Sequence, residues 1–357
     1  MSSPHVLFLH ARLAFSGSTE RLLQCATWLE QNGTRVTVLA QDGSRRPAFE
    51  AAGIRVRTSD LPSDPKARPF AAWRARRIIA ELAPDVVHVT TEELAGLAAA
   101  IAPTLRMPYV LEIHRPPTAR VPRFAPRLKA VGISGPTLAE PVVNHGAVPR
   151  DLLVEVPHAP TPPEDLRAMP FGHSGTLRIG TSGRLDDQHG TEVFLAAVER
   201  LADVRRQCHF AILGEGPREL AIRRHVRERG LTDRVTVGAP VTGTAVATMA
   251  TLDLHVSCRL SGTPDWLAHL ALALGLPSVL TAVGESFNLI EDAVDGCLIE
   301  RNDPDALARC LGNLIETPLV ARTLGNRARD RWHTEHPPDQ FGETLARLHA
   351  CALEPVA

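Results

Sequence analysis

The stretch that most constrains the fold is the loop 183–190 (GRLDDQHG), which follows a short apolar run and precedes a helix-like segment. The pattern recurs at residues 214–217 (GEGP), after the apolar run 209–213. In open α/β sheets this order of strand, loop and helix presents backbone N–H groups and a helix N-terminus to a phosphate. An arginine in such a loop, here Arg184, can bind a diphosphate through two parallel hydrogen bonds. The loop therefore predicts a nucleotide-linked ligand.

Short apolar runs alternate with helical periodicity through the first half of the chain. The predicted strands are 6–9, 35–39, 54–56, 86–89 and 109–113. The predicted helices are 19–31, which Gly33 ends, 71–82 and 94–105. Strands separated by helices are typical of parallel sheets that are covered on both faces. The first half is thus predicted to be a Rossmann-like domain.

The alternation stops at about residues 156–174, where a proline-dense segment indicates a linker. A second series of strands follows at 177–181, 210–213, 235–237, 254–256 and 278–281, and the tail beyond residue 305 is helical. We predict an N-terminal domain at 1–160, a linker at 161–175 and a second Rossmann-like domain at 176–335. A final helix at 336–357 is expected to pack back on the first domain. The length of 357 residues also favours two domains. Ligands of such folds bind at the carboxyl ends of the strands, which predicts a cleft between the domains.

Composition excludes several other classes of protein. A formal net charge of −1 argues against nucleic-acid binding by the overall field. No apolar stretch approaches the roughly 18 residues that span a bilayer. The first residues read as a strand and not as a signal peptide, and the six scattered cysteines have no C-x-x-C spacing. These features favour a cytoplasmic protein with reduced thiols and no metal site.

Motifs follow one another in a specific order in the second half. They are GRL at 183–185, FLAA at 194–197, GEGP at 214–217, GLTDRV at 230–235, DL at 253–254, GLPSV at 275–279, TAVG at 281–284, DG at 295–296 and an acidic helix start at 303–308. This order resembles that of the GT-B glycosyltransferases of family 4. The first half resembles the same family more loosely, through 17–20, 33–38, 85–88 and 110–114.

The resemblance implies two Rossmann-like domains and retaining transfer of a sugar from a nucleotide-sugar donor, UDP- or GDP-linked, without a cofactor or a metal ion. The C-terminal domain would bind the donor and the N-terminal domain a small-molecule or lipid-linked acceptor. Cationic groups would then stabilise the leaving diphosphate.

Individual residues carry these implied roles. The phosphate-binding arginine of the family corresponds to Arg184, and a family histidine near the donor sugar corresponds to His114. Gly214, Glu215 and Gly216 would position the nucleotide. Gly17 lies in a loop whose backbone approaches the sugar phosphate; Ser18 replaces the second glycine there, and an N-cap serine explains it equally well.

The sequence departs from the family at the donor pocket. The second cation of the family is a lysine where this chain has His189, so leaving-group stabilisation could depend on pH; an ordinary loop histidine is the alternative. Two family glutamates fall on Gly262 and Leu270. Asp265 either replaces the first of them or offsets the dipole at a helix N-terminus.

The glycine-rich loop near residue 284 is altered too. Gly284 keeps the first glycine of the family motif, Glu285 replaces the second, and Asn288 takes the place of an acidic residue. The altered pocket leaves a second hypothesis open: a catalytically silent relative that binds a nucleotide or a partner protein. An epimerase of the same architecture fits the motif order less well.

Basic residues cluster twice in the first half, at 66–77 and at 115–129. Either cluster could attract an anionic acceptor or make peripheral contact with an acidic membrane surface; a solvated face is the commoner explanation. Prolines at 116, 117, 122 and 126 argue against a continuous membrane-bound helix in the second cluster and favour a loop that sets acceptor specificity.

Overall fold

The structure is a computed structural model that describes residues 3–105, 107–163, 166, 171–173, 175–201, 208–239, 244–262, 265–336 and 338–353. The chain divides into two compact units. The first contains Met1–Ala14, Arg21–His158 and Pro338–Ala357, and the second contains Phe15–Glu20 and Ala159–Pro337.

The described part of the first unit contains a seven-stranded parallel sheet in the order β3-β2-β1-β4-β5-β6-β7. The strands are β1 His5–Arg12, β2 Arg35–Gln41, β3 Arg55–Thr58, β4 Val86–Val89, β5 Tyr109–Ile113, β6 Leu128–Ile133 and β7 Leu153–Glu155. The helices are α1 Gly17–Gln31, whose first residues belong to the second unit, then α2 Arg46–Ala51, α3 Pro69–Leu82, α4 Ala95–Leu105 and α5 Ala139–Asn144.

The described part of the second unit contains a six-stranded parallel sheet in the order β10-β9-β8-β11-β12-β13. Its strands are β8 Leu177–Ser182, β9 Cys208–Leu213, β10 Val235–Gly238, β11 Leu254–Ser257, β12 Ser278–Thr281 and β13 Cys297–Ile299. Its helices are α6 Thr191–Arg200, α7 Glu219–Glu228, α8 Ala245–Met249, α9 Trp266–Ala273, α10 Ser286–Leu289, α11 Pro304–Glu316 and α12 Pro318–Glu335.

The last helix, α13 Pro338–Leu353, belongs to the first unit and packs on β4, β5 and β6. Its buried face carries Phe341, Leu345 and Leu348, spaced three or four residues apart as one face of a helix requires. Burial of each such side chain stabilises the fold by roughly 2 kcal/mol, so the helix is an integral part of this unit.

The apolar strands are buried because helices cover both faces of each sheet. In β1 the side chains from His5 to His10 are all buried, and in β11 all four residues are buried. Runs of this kind, without polar alternation, are what a parallel sheet requires. The two Rossmann-like sheets predicted from the sequence are therefore present.

Local details differ from the prediction. Three short strands, β6, β7 and β13, were not predicted. Helix α1 begins at Gly17, because the Ser16 hydroxyl accepts a hydrogen bond from the Thr19 N–H at 3.3 Å; Ser16 and not Ser18 is thus the N-cap residue. Much of the predicted linker, namely residues 164, 165, 167–170 and 174, lies outside the described residues.

Candidate functional site

The loops that follow β8 and β11 start at the topological switch point of the second sheet. Strands β8 and β11 are neighbours, although the chain first crosses to β9 and β10 on the other side of β8. At such a point the two loops turn away from each other in an open α/β sheet and leave a crevice that binds ligands. The predicted phosphate loop 183–190 is the loop that follows β8.

Glycines allow these loops to approach one another closely. Gly190 has φ 62°, and a Cβ there would lie 2.0 Å from the carbonyl oxygen of Cys258 in the loop after β11. A Cβ on Gly214, after β9, would lie 1.9 Å from the Gly183 carbonyl oxygen. Because any side chain would overlap with backbone, both positions need glycine for close packing.

Two further glycines extend the same arrangement. A Cβ on Gly216 would lie 2.3 Å from the Leu185 carbonyl oxygen, and one on Gly284 would lie 2.1 Å from the Gly262 carbonyl oxygen. Gly284 also has φ 51°, in the left-handed region. The loops after β8, β9, β11 and β12 therefore meet through their backbones at the carboxyl edge of the sheet, which brings most of the predicted donor-binding residues together.

Arg184 and His189 both contact Asp186 within the phosphate loop. The Arg184 Nε lies 3.6 Å from an Asp186 carboxylate oxygen, and the Arg184 side chain is 42% exposed. The His189 Nδ1 lies 2.8 Å from the other oxygen. Burial would raise the pKa of the Asp186 carboxyl, but the hydrogen bonds from His189 and the Gln188 N–H, with the charge of Arg184, hold it well below its usual range. Asp186 is thus an ionised group that orders both Arg184 and His189.

Arg259 completes this cluster from the loop after β11. It is buried, and its Nη1 lies 2.9 Å from the His189 Nε2. Sequence analysis missed this residue because Arg259 belongs to no motif. The close approach of Gly190 to Cys258 is what brings the two loops together.

Asp265 is the N-cap residue of α9. Its Oδ1 accepts hydrogen bonds from the N–H groups of Leu267 and Ala268, both at 3.1 Å, while its Oδ2 lies 3.5 Å from the His189 Nε2. Burial acts to raise the pKa of this carboxyl, but its contact with His189, the charge of Arg259 and the Ala268 N–H outweigh burial and lower the pKa. The capping role weighed in the sequence analysis is present, and a role for the second oxygen in transfer stays a prediction.

The positions of the two family glutamates have no acidic side chain in the structure either. Leu270 is fully buried in an apolar cluster with Met249, Leu252 and Trp266. Gly262 has φ 82°, and its carbonyl oxygen faces Gly284. Leu270 therefore supports packing, and Gly262 supports loop geometry.

Glu215 and Gly17 both contact backbone in the second unit, to which residues 15–20 belong. The Glu215 carboxylate accepts a hydrogen bond from the Phe15 N–H at 2.8 Å. A Cβ on Gly17 would lie 3.0 Å from the Asp265 carboxyl carbon and 3.1 Å from the Trp266 nitrogen. The loop at Gly17 thus lies against the N-terminus of α9.

Glu285 and Asn288 contact each other at the start of α10. Glu285 is buried, and its carboxylate accepts a hydrogen bond from the Asn288 side-chain amide at 2.8 Å. An unpaired carboxylate at this position would repel a diphosphate. The amide donor offsets part of that negative charge.

His114 lies in the first unit, directly after β5. Its Nε2 lies 3.1 Å from Glu112 Oε2, and its ring stacks on that of His158 at 5.3 Å between centroids. Glu112 is fully buried and accepts two hydrogen bonds from the Arg21 guanidinium, at 2.7 and 2.8 Å. Sequence analysis missed the Arg21–Glu112 pair, whose members are 91 residues apart. The contact of Nε2 with the buried Glu112 fixes the orientation of the His114 ring.

The two basic stretches have different structures. Residues 69–77 of the first lie in α3, whereas residues 115–127 of the second form no helix. In the second stretch the Phe124 N–H donates to the Tyr109 hydroxyl at 2.8 Å, so this loop is anchored to β5. Within the described ranges, no helix is both long and apolar enough to cross a membrane. The same ranges contain no group of three His, Cys, Asp or Glu residues placed to hold a metal ion.

Two family models match the chain. Residues 176–317 match the model described as Glycosyl transferases group 1, and residues 16–139 match the model described as Glycosyl transferase 4-like domain. Together they account for well over half of the 357 residues.

Curated relatives include the alpha-D-kanosaminyltransferase of Streptomyces kanamyceticus, 23% identical over 47% of this chain and 44% of the relative. The chain thus spans less than half the length of this relative. The 2-deoxystreptamine N-acetyl-D-glucosaminyltransferase of Streptomyces fradiae is 24% identical over 85% of this chain and 83% of the relative.

Solved structures show the same fold at low sequence identity. HepE of Anabaena in complex with UDP-glucose superposes with a TM-score of 0.76 at 16% identity, covering 97% of this chain and 99% of that one. The sucrose-phosphate synthase of Thermosynechococcus elongatus gives 0.73 at 16% identity over 97% and 98%. By its two matched family models and its two parallel-sheet domains, the chain belongs to the group 1, family-4-like glycosyltransferases of GT-B fold.

Proposed function

We propose that the protein is a retaining glycosyltransferase that transfers a sugar from a UDP- or GDP-linked donor to a small-molecule or lipid-linked acceptor. One observation carries the proposal: four loops meet through close glycine contacts at the carboxyl edge of the second sheet, where Arg184 and His189 share Asp186 and Arg259 contacts His189. A site of this kind offers backbone N–H groups and fixed positive charge to a diphosphate.

The reaction needs stabilisation of the leaving nucleoside diphosphate as the bond between the sugar and the phosphate breaks. Arginines held by loop packing provide this stabilisation without reorganising, because their positions are set before the donor binds. His114, fixed by Glu112, would contact the donor sugar or the acceptor. The known activities of the relatives, transfer of amino sugars among them, are consistent with this assignment.

Isothermal titration with UDP and with GDP tests donor binding. Arg184→Ala should lower the affinity for the nucleotide about tenfold or more, because a hydrogen bond to a charged group is lost. Arg200→Ala is the matched control, since Arg200 at the C-terminal end of α6 is similarly exposed and pairs with Asp305. Unchanged affinity of the Arg184 variant would contradict the phosphate assignment. The anomeric configuration of the product, read by NMR, tests retention.

A second candidate function is nucleotide binding without transfer. Gly262 and Leu270, in place of two glutamates, favour it, because neither side chain can accept a hydrogen bond from a sugar or a ribose. Nucleotide binding by the wild type, without hydrolysis or transfer over a panel of donor sugars and acceptors, would establish this candidate. Any sugar transfer by the wild type that is lost in Arg184→Ala would exclude this second candidate.

The acceptor side of the proposal includes peripheral contact with an anionic membrane surface through α3. Phe70 and Trp73 are 75% and 50% exposed and stack at 5.7 Å between centroids, and the Arg77 guanidinium lies 5.9 Å from the Trp73 ring. The flanking exposed bases are Lys66, Arg68, Arg74 and Arg76. Exposed aromatics beside basic residues are typical of helices that lie in a membrane interface.

Co-sedimentation with phosphatidylcholine vesicles, with and without phosphatidylserine, tests this contact. The wild type should sediment with the anionic vesicles only, and a Phe70→Ser, Trp73→Ser double variant should not. Leu319→Ser is the control, because Leu319 on α12 is 74% exposed and lies in the other unit. Equal sedimentation of the double variant and the wild type would contradict the membrane contact.

A further inference from the structure

His189 lies between two carboxylates and one guanidinium. On its own loop, Asp186 faces Nδ1 at 2.8 Å. From the loop after β11, the Arg259 Nη1 faces Nε2 at 2.9 Å, and from the start of α9 the Asp265 Oδ2 lies 3.5 Å from the same nitrogen. Arg184 completes the set of charges through its contact with Asp186.

The contact with Arg259 decides the protonation state of the imidazole. A guanidinium nitrogen is only a hydrogen-bond donor, so at 2.9 Å the His189 Nε2 must accept with its lone pair. A proton on Nε2 would set two donors against each other. Among the described residues the other acceptor that faces Nε2 is Asp265, at 3.5 Å, which is beyond good hydrogen-bond distance. The geometry therefore requires neutral His189, with its proton on Nδ1 donated to Asp186.

Arg259 is well placed for a phosphate role. It follows β11 at the switch point, where its loop lies against Gly190 of the phosphate loop. Its guanidinium is a planar fork of N–H groups, whose geometry matches that of a phosphate. A neutral His189 cannot supply the charge that the family lysine supplies at this position, whereas Arg259 adds a full positive charge within hydrogen-bond distance of that imidazole.

We propose that Arg259, positioned by a neutral His189, supplies the second positive charge that binds the diphosphate of the donor. This inference rests on the proposed function and deepens it. Because guanidinium does not titrate below about pH 12, the second charge at the site is constant across the physiological range. The pH dependence expected when His189 alone takes the place of the lysine is then absent.

The first test measures binding of UDP-glucose and GDP-mannose, whose diphosphates carry no terminal phosphate that titrates near neutrality. At pH 8, Arg259→Gln should lower the affinity for whichever nucleotide sugar the wild type binds, by roughly tenfold to a hundredfold. Arg259→Lys keeps the charge and should retain most of the affinity, which separates loss of charge from misfolding. Arg200→Gln is the control and should bind like the wild type.

Affinity of the wild type should also stay level between pH 8 and pH 5.5. A rise in affinity on acidification that His189→Gln abolishes would show that His189 provides the charge and would overturn the inference. Selective ¹⁵N-histidine labelling, assigned with His189→Gln, gives a readout independent of ligand. It should show Nε2 unprotonated and Nδ1 protonated at pH 7.5, and protonation of both nitrogens would overturn the inference.

The failures are distinguishable. If neither nucleotide sugar binds the wild type, the proposed function falls and the inference with it. If the wild type binds, Arg184→Ala weakens binding and Arg259→Gln does not, the proposed function stands and the role of Arg259 is refuted.

Discussion

Glu112→Gln should strongly destabilise the first unit. Glu112 in β5 and Arg21 in α1 have side chains only 1% and 2% exposed, and the Arg21 Nη1 lies 2.7 and 2.8 Å from the two carboxylate oxygens. The amide variant is isosteric but neutral, so the guanidinium would stay buried without its counter-charge. Removing one partner of a buried ion pair costs about 3–5 kcal/mol, because the other charge remains away from water.

The pKa of Glu112 supports this magnitude. Burial alone would raise the pKa of the carboxyl, yet Arg21, followed by His88 and His114, lowers it well below its usual value. The group is therefore ionised at neutral pH and stabilises the fold above the unfolded value of 4.5. That contribution is lost as the pH falls through the folded pKa. The difference between the wild type and Glu112→Gln should accordingly shrink below about pH 4.5.

Urea unfolding of four proteins measures the pair: the wild type, Glu112→Gln, Arg21→Met and the double variant. The double variant should be more stable than the sum of the two single losses predicts, because it leaves no unpaired buried charge. In thermal unfolding the single variant should lose on the order of 10 °C in the transition of the first unit. A loss of less than about 1 kcal/mol at pH 7, or additive effects in the double variant, would refute the reasoning.

Two further changes test the fold and the site. Burial, with the nearby His88, lowers the pKa of His349 in α13 from 6.5 to about 3, so the fold holds this histidine neutral and loses stability as the pH falls below 6.5. In urea unfolding between pH 7 and pH 5, the wild type should therefore lose about 2 kcal/mol more stability than His349→Leu. Equal losses in the two proteins would contradict this. Gly214→Ala should abolish nucleotide binding and destabilise the second unit by about 3 kcal/mol or more, because its Cβ would lie 1.9 Å from the Gly183 carbonyl oxygen. Gly312→Ala is the control: it lies in a helix, its Cβ would meet Leu201 at 4.0 Å, and it should be neutral or slightly stabilising. Equal effects of the two substitutions would show that the loop contact is not needed.

The elements of the fold were predictable where the signal is local. Strands such as β4 and β12 coincide with the predicted ranges 86–89 and 278–281, since a run of apolar residues between turn signals identifies a buried strand. Strands β7 and β13 have three residues each, too few for any periodicity. β6 starts inside the basic, proline-rich stretch 115–129, whose composition favoured a loop.

The site was predictable in its glycines and less so in its charges. Gly183, Gly190 and Gly214 were identifiable because a turn into a helix needs backbone conformations and contacts that glycine permits. The contacts of Arg259 with His189 and of Glu112 with Arg21 join residues 70 and 91 positions apart, and pairing over such distances leaves no trace in a single sequence. Ser16 was missed for a different reason: Ser16, Ser18 and Thr19 are all suitable N-cap residues, and only the hydrogen bonds distinguish them.

Compared with the family pattern, charged side chains in the predicted donor pocket lie at other positions and are not simply absent. The loop between β11 and α9 carries Arg259 and Asp265 within seven residues, one cation and one anion beside His189. Next to α10 the acidic group lies at Glu285, three residues before Asn288, and the two side chains are hydrogen-bonded as neighbours on one helical turn. Arg259 and Glu285 are both buried, and a buried charge costs free energy unless it is paired, so these side chains are held in place by their neighbours. The placement of these charges around the glycine loops is consistent with the proposed binding of an anionic donor. Under that proposal, the loss of the two glutamates would affect turnover and sugar selection more than diphosphate binding.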